Sequence, residues 1–384
     1  MSLSIQSLSS ASFAMFCLGA ALARLSGGEF AVLMAIEEQQ EALSLAERLL
    51  NCLTNPLEEQ GKYIQVGAFL GLSSASPHGN SISDLLRRAD IAMNHARNAR
   101  SARPLWFDSR MEREMIAHSE IEQGIRFGLD HDQFLPFFEP QVDLRTGQVT
   151  GFEVLARWDH PLTGIIGPDR FIPIAEEHNL IGRLSDQVVR KALTAAADWD
   201  PSITLAINIS PNQFTDSWLA QKIVRLLAET GFPAERLVVE VTESSLFADI
   251  DLARTIVHSL KNQGIALALD DFGSGFSSLS HLSALPFDKI KIDRSFVASI
   301  GKNRQSAAIV RAVTTMAQAL DVPVVAEGIE DAAAHEALLQ IGCASGQGWY
   351  FGKAMPGEAA ENLLRHRQVA TSSARLNVPA ARKA

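Results

Sequence analysis

ITLAINI (203–209), LVVEVT (237–242), IALALDD (265–271) and DKIKID (288–293) are four short, apolar, β-branched runs in close succession. The stretches around them, DQVVRKALTAAADW, LAQKIVRLLAETG and AAIVRAVTTMAQAL, place apolar residues at helical spacing instead. Alternation of this kind specifies parallel strands, because each return to the same edge of a sheet needs a crossover long enough to hold a helix. Working outward, FLPFFEP (134–140), VTGFEVL (149–155), PVVAE (323–327) and GQGWYF (346–351) extend the pattern to eight runs. Eight repeats favour a closed (β/α)8 barrel over an open sheet. The first two runs are joined by DLRTGQ, a hairpin-length connection, so one strand is expected to run antiparallel.

The remainder of the 384 residues is too short for a second barrel. SGGEFAVLM (26–34) reads as a tight turn entering a strand, YIQVGAFLGLS (63–73) as another strand, and ISDLLRRADIAMNHARNA (82–99) as an amphipathic helix. The expected organisation is a partial α/β domain over 1–108, a linker helix over 109–129, the barrel over 130–368 and a mobile tail over 369–384. The apolar stretch 11–25 is too short to span a bilayer and has no basic flank, so it reads as a helix packed on a domain, with no membrane span or signal peptide. Three widely spaced cysteines form no CxxC pair, so neither a disulfide framework nor a thiolate zinc site is suggested and a reducing cytoplasm fits. A formal charge of -10 argues against binding a DNA or RNA polymer, for which clustered Lys and Arg are needed.

In a parallel barrel the chemistry lies where strands end and loops begin. Glu153, Asn208, Glu240, Glu243, Asp270, Asp271, Lys291, Glu327 and Gln347 all stand at or near such ends. Any one of them has an ordinary reading as a helix cap or a solvated loop residue. Together they differ, because carboxylates converging on one mouth repel each other unless cations lie between them. The candidate donors are all oxygen atoms, which points to hard ions, Mg²⁺ or Mn²⁺, rather than zinc. The Asp270–Asp271 pair is placed to bridge two ions, the layout of two-metal phosphoester hydrolysis. Lys291, between two isoleucines, is positioned either to orient an attacking water or to take its proton. Arg157 reads as a phosphate ligand or as a structural ion pair. DFGSGFSSL (271–279) reads as a sharply bent loop, a gate or simply a βα turn. Trp158 and Trp349 are each either core residues or stacking platforms.

These residues resemble the EAL-domain cyclic di-GMP phosphodiesterases, in order: EVLAR (153–157), FIPIAEE (171–177), NIS (208–210), EVTE (240–243), DDFGSGFSSL (270–279), FDKIKIDRSFV (287–297), AEGIE (326–330) and GQGWYFGKAMP (346–356). The resemblance implies two cations, one held by Glu153, Asn208, Glu240 and Asp270 and the second by Asp270, Asp271 and Glu327. It implies that Lys291 manages the water, that Arg157 and Gln347 contact the substrate, that Glu243 holds the 271–279 loop, and that the product is linear pGpG. It also implies an antiparallel first strand and a homodimer. Two departures stand out: EVL in place of EAL, and Glu139 in FFEPQ where Gln is common, a change expected to alter base contacts.

The N-terminal part resembles the second half of a GGDEF diguanylate cyclase domain through RLSGGEFAVLM and LLRRADIAMNHARNA. Its signature is SGGEF, with Gly28 where the metal-binding acid belongs. CLGA occupies 17–20, where the RxxD inhibitory site would be. No cyclase activity is expected. The competing functional reading for the barrel is a non-catalytic receptor or scaffold, which would be expected to have lost metal ligands.

Overall fold

The computed structural model describes residues 20–376 apart from 37, 60–61, 76–80, 248, 274–284 and 302. The chain divides into two compact units, Met1–Glu120 and Ile121–Ala384.

In the first unit, β1 (Ala21–Ser26) and β2 (Glu29–Leu33) form an antiparallel hairpin that turns at Gly27, whose φ of +42° favours glycine. β3 (Leu57–Glu59) and β4 (Lys62–Ile64) form a second short hairpin. β5 (Gly71–Leu72) pairs in parallel with β6 (Leu105–Trp106). Helix Ile82–Asn98 opens on a capping box, Ser81 with Asp84, and buries Ile91, Ala92 and Ala96. It lies so close to β5 that a Cβ on Gly71 would meet the Ala89 carbonyl oxygen at 2.0 Å.

Two sequence readings are corrected here. Residues 21–25, read as part of a helix, form an exposed strand, and residues 11–19 lie outside the described residues. YIQVGAFLGLS is not one strand, because only its two ends pair.

The second unit is an eight-stranded α/β barrel. Its staves are β7 (Phe134–Asp143), β8 (Val149–His160), β10 (Thr204–Ile209), β11 (Leu237–Thr242), β12 (Ala266–Phe272), β13 (Lys289–Ile292), β14 (Val324–Ala326) and β15 (Ser345–Gln347). β9 (Gly164–Ile166) extends β8 as a hairpin outside the ring. Neighbouring staves pair in parallel from β8 round to β15, with β8–β10 joining the two halves. β7 alone is antiparallel, to both β8 and β15.

The β7–β8 turn explains that exception. The Asp143 carboxylate accepts from the Arg145 and Thr146 amides at 3.1 and 2.7 Å, and Gly147 follows with φ +67°. An Asx-type turn of this length reverses the chain and leaves no room for a crossover.

The main core fills the space between sheet and helices. Inside the ring lies a much smaller apolar group, Ala206, Val238 and Ala268. Two residues further along the same strands come Asn208, Glu240 and Asp270. Side chains alternate faces with period two, so each small apolar residue forms the floor beneath a polar one.

The last run is shorter than its aromatic content suggests: β15 ends at Gln347, and Gly348, with φ +148°, turns the chain out of the sheet. Helix Gly357–Leu376 carries regular backbone eight residues past position 368. Among the described residues, no helix is long and apolar enough to cross a membrane.

Candidate active site

Lys291 stands at the centre of the mouth. β13 sends its side chain inward between the outward-facing Ile290 and Ile292, and only 1% of the residue is exposed. The ammonium lies 2.6 Å from Glu240 Oε2, 2.7 Å from Glu327 Oε1, 3.2 Å from Asp270 Oδ1 and 3.4 Å from Glu153 Oε2. Four strands thus deliver four carboxyl groups to one cation. Burial would lower the Lys291 pKa, but Glu153, Glu240, Glu327 and Asp270 outweigh it and hold the group well above its ordinary value.

A second layer of amide side chains fixes the carboxylates. Gln347 donates to Glu153 Oε2 and, at 3.2 Å, to Glu327 Oε1. Gln141 donates to Gln347 Oε1 at 2.9 Å, and Asn208 donates to Glu153 Oε1 at 2.6 Å. Burial pushes Glu153 up, yet Lys291, Gln347 and Asn208 outweigh it and hold this carboxyl below the usual range. Burial also raises Glu240 well above the carboxylate range, aided by Glu153 and Asp270, and lifts Glu327 to about 8. One ammonium is therefore too little positive charge for this cluster at neutral pH, and protons or further cations must complete the balance.

The donor set suits hard cations. Asp270, Asp271 and Glu327 each present an oxygen within 4.8 Å of the others, the three residues the resemblance implies for the second ion. Asp271 is held in the left-handed region at φ +55°, and its amide donates to Asp270 Oδ1 at 2.9 Å. This sharp bend at the end of β12 turns two consecutive carboxylates toward one place.

The remaining sequence candidates fall as follows. Arg157 lies on β8 with its guanidinium 5.5 Å from the centre of the Phe137 ring, and one Nη donates to the Ala156 carbonyl. No carboxylate forms an ion pair with it among the described residues, so the structural ion-pair reading is not supported. Glu243 opens the short helix Glu243–Phe247 directly after β11, but residues 274–279 of the loop assigned to it lie outside the described residues. Trp158 is core, packed against Phe134 with centroids 5.6 Å apart, whereas Trp349 is 59% exposed beside Lys353.

Sequence reasoning missed Gln141. Its only signal was its place two residues from Glu139 on an inward-facing strand. It also underweighted Glu139, which stands directly across from Glu153 in the β7–β8 register. Burial first, then Glu153, pushes Glu139 up to about 7 against the pull of Arg157 and Lys291.

With an ordinary value of 4.5, the folded carboxyl binds more protons than the unfolded one up to about pH 7. The resulting stability is complete below pH 4.5 and is lost as pH rises through 7. The loss is at most on the order of 3 kcal/mol. Urea unfolding at several pH values across this window should show it in the wild type and show it flattened in Glu139→Gln. Identical slopes in the two proteins would contradict the assignment.

A closed α/β barrel with one antiparallel stave and an acid-lined mouth around a buried lysine defines the class. The chain belongs to the EAL domain family, whose model matches residues 121–354. The diguanylate cyclase GGDEF domain model matches residues 12–103. The chain is 37% identical over 355 residues to the uncharacterized protein y4lL of Sinorhizobium fredii, covering 92% of this chain and 43% of that protein. It is 32% identical over 351 residues to the bifunctional diguanylate cyclase/cyclic di-GMP phosphodiesterase MucR of Pseudomonas aeruginosa, covering 89% of this chain and 50% of that protein. Among solved structures it resembles the PaMucR phosphodiesterase in complex with c-di-GMP, with TM-score 0.61 and 33% identity over 63% of this chain and 99% of that one. The chain spans half or less of the length of these two curated relatives.

Proposed function

We propose that the barrel hydrolyses cyclic di-GMP to linear pGpG with two divalent cations, Mg²⁺ or Mn²⁺, and that the N-terminal unit has no cyclase activity. The carrying observation is the cage of four carboxylates around Lys291, continued by Asp271, in a chain of the EAL family. Glu153, Asn208, Glu240 and Asp270 would hold one cation, and Asp270, Asp271 and Glu327 the other. When bound, such ions supply Lewis acidity at the phosphodiester and make a water more acidic at neutral pH.

The chain's own groups do the rest. In net terms, the water oxygen bonds to phosphorus, the P–O3′ bond breaks, and O3′ leaves with a proton. Lys291, kept protonated by its carboxylates, favours a role in orienting the water and offsetting charge over a role as base. Arg157, which forms no ion pair among the described residues though Glu139 and Asp169 lie near enough to act on its charge, is placed to meet a phosphate oxygen. Gln347 keeps Glu153 and Glu327 in register with each other. The domain limits given above, a cytoplasmic location and a homodimer belong to the same reading.

The test is purified chain with Mn²⁺ or Mg²⁺, cyclic di-GMP and chromatographic separation of products. Conversion to pGpG is expected, reduced roughly a hundred-fold or more in Glu153→Ala with dinucleotide binding retained. Binding without any turnover in the wild type would favour the receptor reading, and synthesis of cyclic di-GMP from GTP would refute the statement about the N-terminal unit.

A further inference from the structure

Behind β10, on the outside of the ring, the helices Ile181–Ala196 and Leu219–Thr230 pack side by side and leave between them a cavity of about 160 Å³. That is about the volume that holds one benzene-sized molecule. Its back wall is Ile207 and Ile209, on the outward face of the strand whose inward face carries Asn208. Val189 lines it from one helix and Ile223 from the other. Gly182 lines it too, and nothing local requires glycine there: its φ is not positive, and an added Cβ would meet no atom within 4 Å. Since glycine weakens a helix relative to alanine, what it achieves at this position is open space.

The polar lining decides what that space suits. Lys222 is already neutralised, with its Nζ 2.6 Å from Asp216 Oδ2. Asp186 is not: its ion-pair partner, Arg225 Nη2, stands 3.8 Å away, and among the described residues no hydrogen bond reaches its carboxylate. Burial raises its pKa against the pull of Lys222, Arg225 and Arg190. The neighbouring Ser185 hydroxyl likewise makes no hydrogen bond among the described residues. An apolar cavity with one under-compensated carboxylate fits a cation that carries its own N–H donors on a short hydrocarbon chain. We propose that this cavity is a regulatory site for a small aliphatic amine, with the ammonium at Asp186 and Ser185 and the alkyl chain against Ile207 and Ile223. Its effect on the mouth runs through β10. An occupant supports Ile207 and Ile209 from behind and so steadies Asn208 between them, whose amide donates to Glu153 Oε1 at 2.6 Å. Better-ordered donors bind a cation at lower cost. This regulatory half rests on the phosphodiesterase reading, whereas the binding half stands without it.

The experiment titrates the full chain with n-pentylamine, pentanoate and 1-pentanol, using ligand-detected NMR. The amine should bind with a dissociation constant on the order of 1 mM, and the acid and the alcohol about ten-fold more weakly or not at all. Asp186→Asn should weaken the amine about ten-fold, and Gly182→Leu, which fills the cavity, should abolish binding, with both variants melting within about 2 °C of wild type. Equal binding of the acid or the alcohol, no binding of the amine to the wild type, or unchanged amine binding in both variants overturns the site. In turnover of cyclic di-GMP, saturating amine should lower the Mn²⁺ concentration for half-maximal rate by about five-fold in the wild type and leave Gly182→Leu unaffected. A shift below about two-fold, or the same shift in Gly182→Leu, overturns the regulatory half. A chain that turns over nothing with or without amine refutes the phosphodiesterase reading instead, and calorimetric Mn²⁺ affinity with and without amine then decides the coupling by the same ratio.

Discussion

Lys291→Met is expected to lower the unfolding free energy by about 3–5 kcal/mol and, on the proposed phosphodiesterase reading, to slow turnover of cyclic di-GMP by roughly 10²–10⁴-fold. Methionine fills much the same space, so the loss is electrostatic. Glu153, Glu240, Asp270 and Glu327 would face one another with no cation among them, and burying unpaired charge is the expensive case. Chemical denaturation without divalent ions measures the first effect and single-turnover kinetics the second. Added Mn²⁺ should raise the melting temperature of the variant more than that of the wild type, since it supplies charge the wild type already has in part. A variant as stable as the wild type would mean that these carboxyls are already neutral and that the lysine holds nothing in place.

Gly348→Ala is expected to be nearly as damaging, through backbone rather than charge. A Cβ there would lie 2.3 Å from the Ile329 amide nitrogen and 2.4 Å from its carbonyl oxygen, and the φ of +148° is itself unfavourable for alanine. Neither neighbour can yield, because the Ile329 amide donates to the Gln347 carbonyl at 3.0 Å and its carbonyl accepts from Tyr350 at 3.0 Å. Strain and overpacking together come to about 3–5 kcal/mol. Relief would shift Gln347, the residue that ties Glu153 to Glu327. Stability and activity should fall together, and a fully active, fully stable variant would show that this turn is not rigid.

The staves were legible because their apolar runs are short and bounded by helices of clear period, and each observed stave overlaps its run. The misreadings have physical causes. Trp349, Tyr350 and Phe351 look like strand residues, but one glycine with an unusual φ ends β15 before them. Residues 21–25 carry apolar side chains that a local pattern assigns to a buried helix, yet they lie exposed in a hairpin set by Gly27. Lys291 was conspicuous because a charged residue between isoleucines must face something polar. Gln141 gave no such signal. A single amide in a strand is ordinary, and its partner Gln347 is 206 residues away, a juxtaposition that only the closed ring creates.

That pairing bears on how the proposed site is assembled. Gln347 meets Gln141 where β15 meets the antiparallel β7, which is the seam of the barrel. Glu153 and Glu327 are bridged by the same glutamine, so the cage acquires its final shape only when the seam shuts. During folding the staves can stack in sequence order by short-range steps, but this last pairing joins the two ends of the domain and bears the largest loop-closure entropy. If the proposed hydrolysis holds, catalytic competence should therefore lag behind the gain of secondary structure on refolding, making that reaction a clock for ring closure.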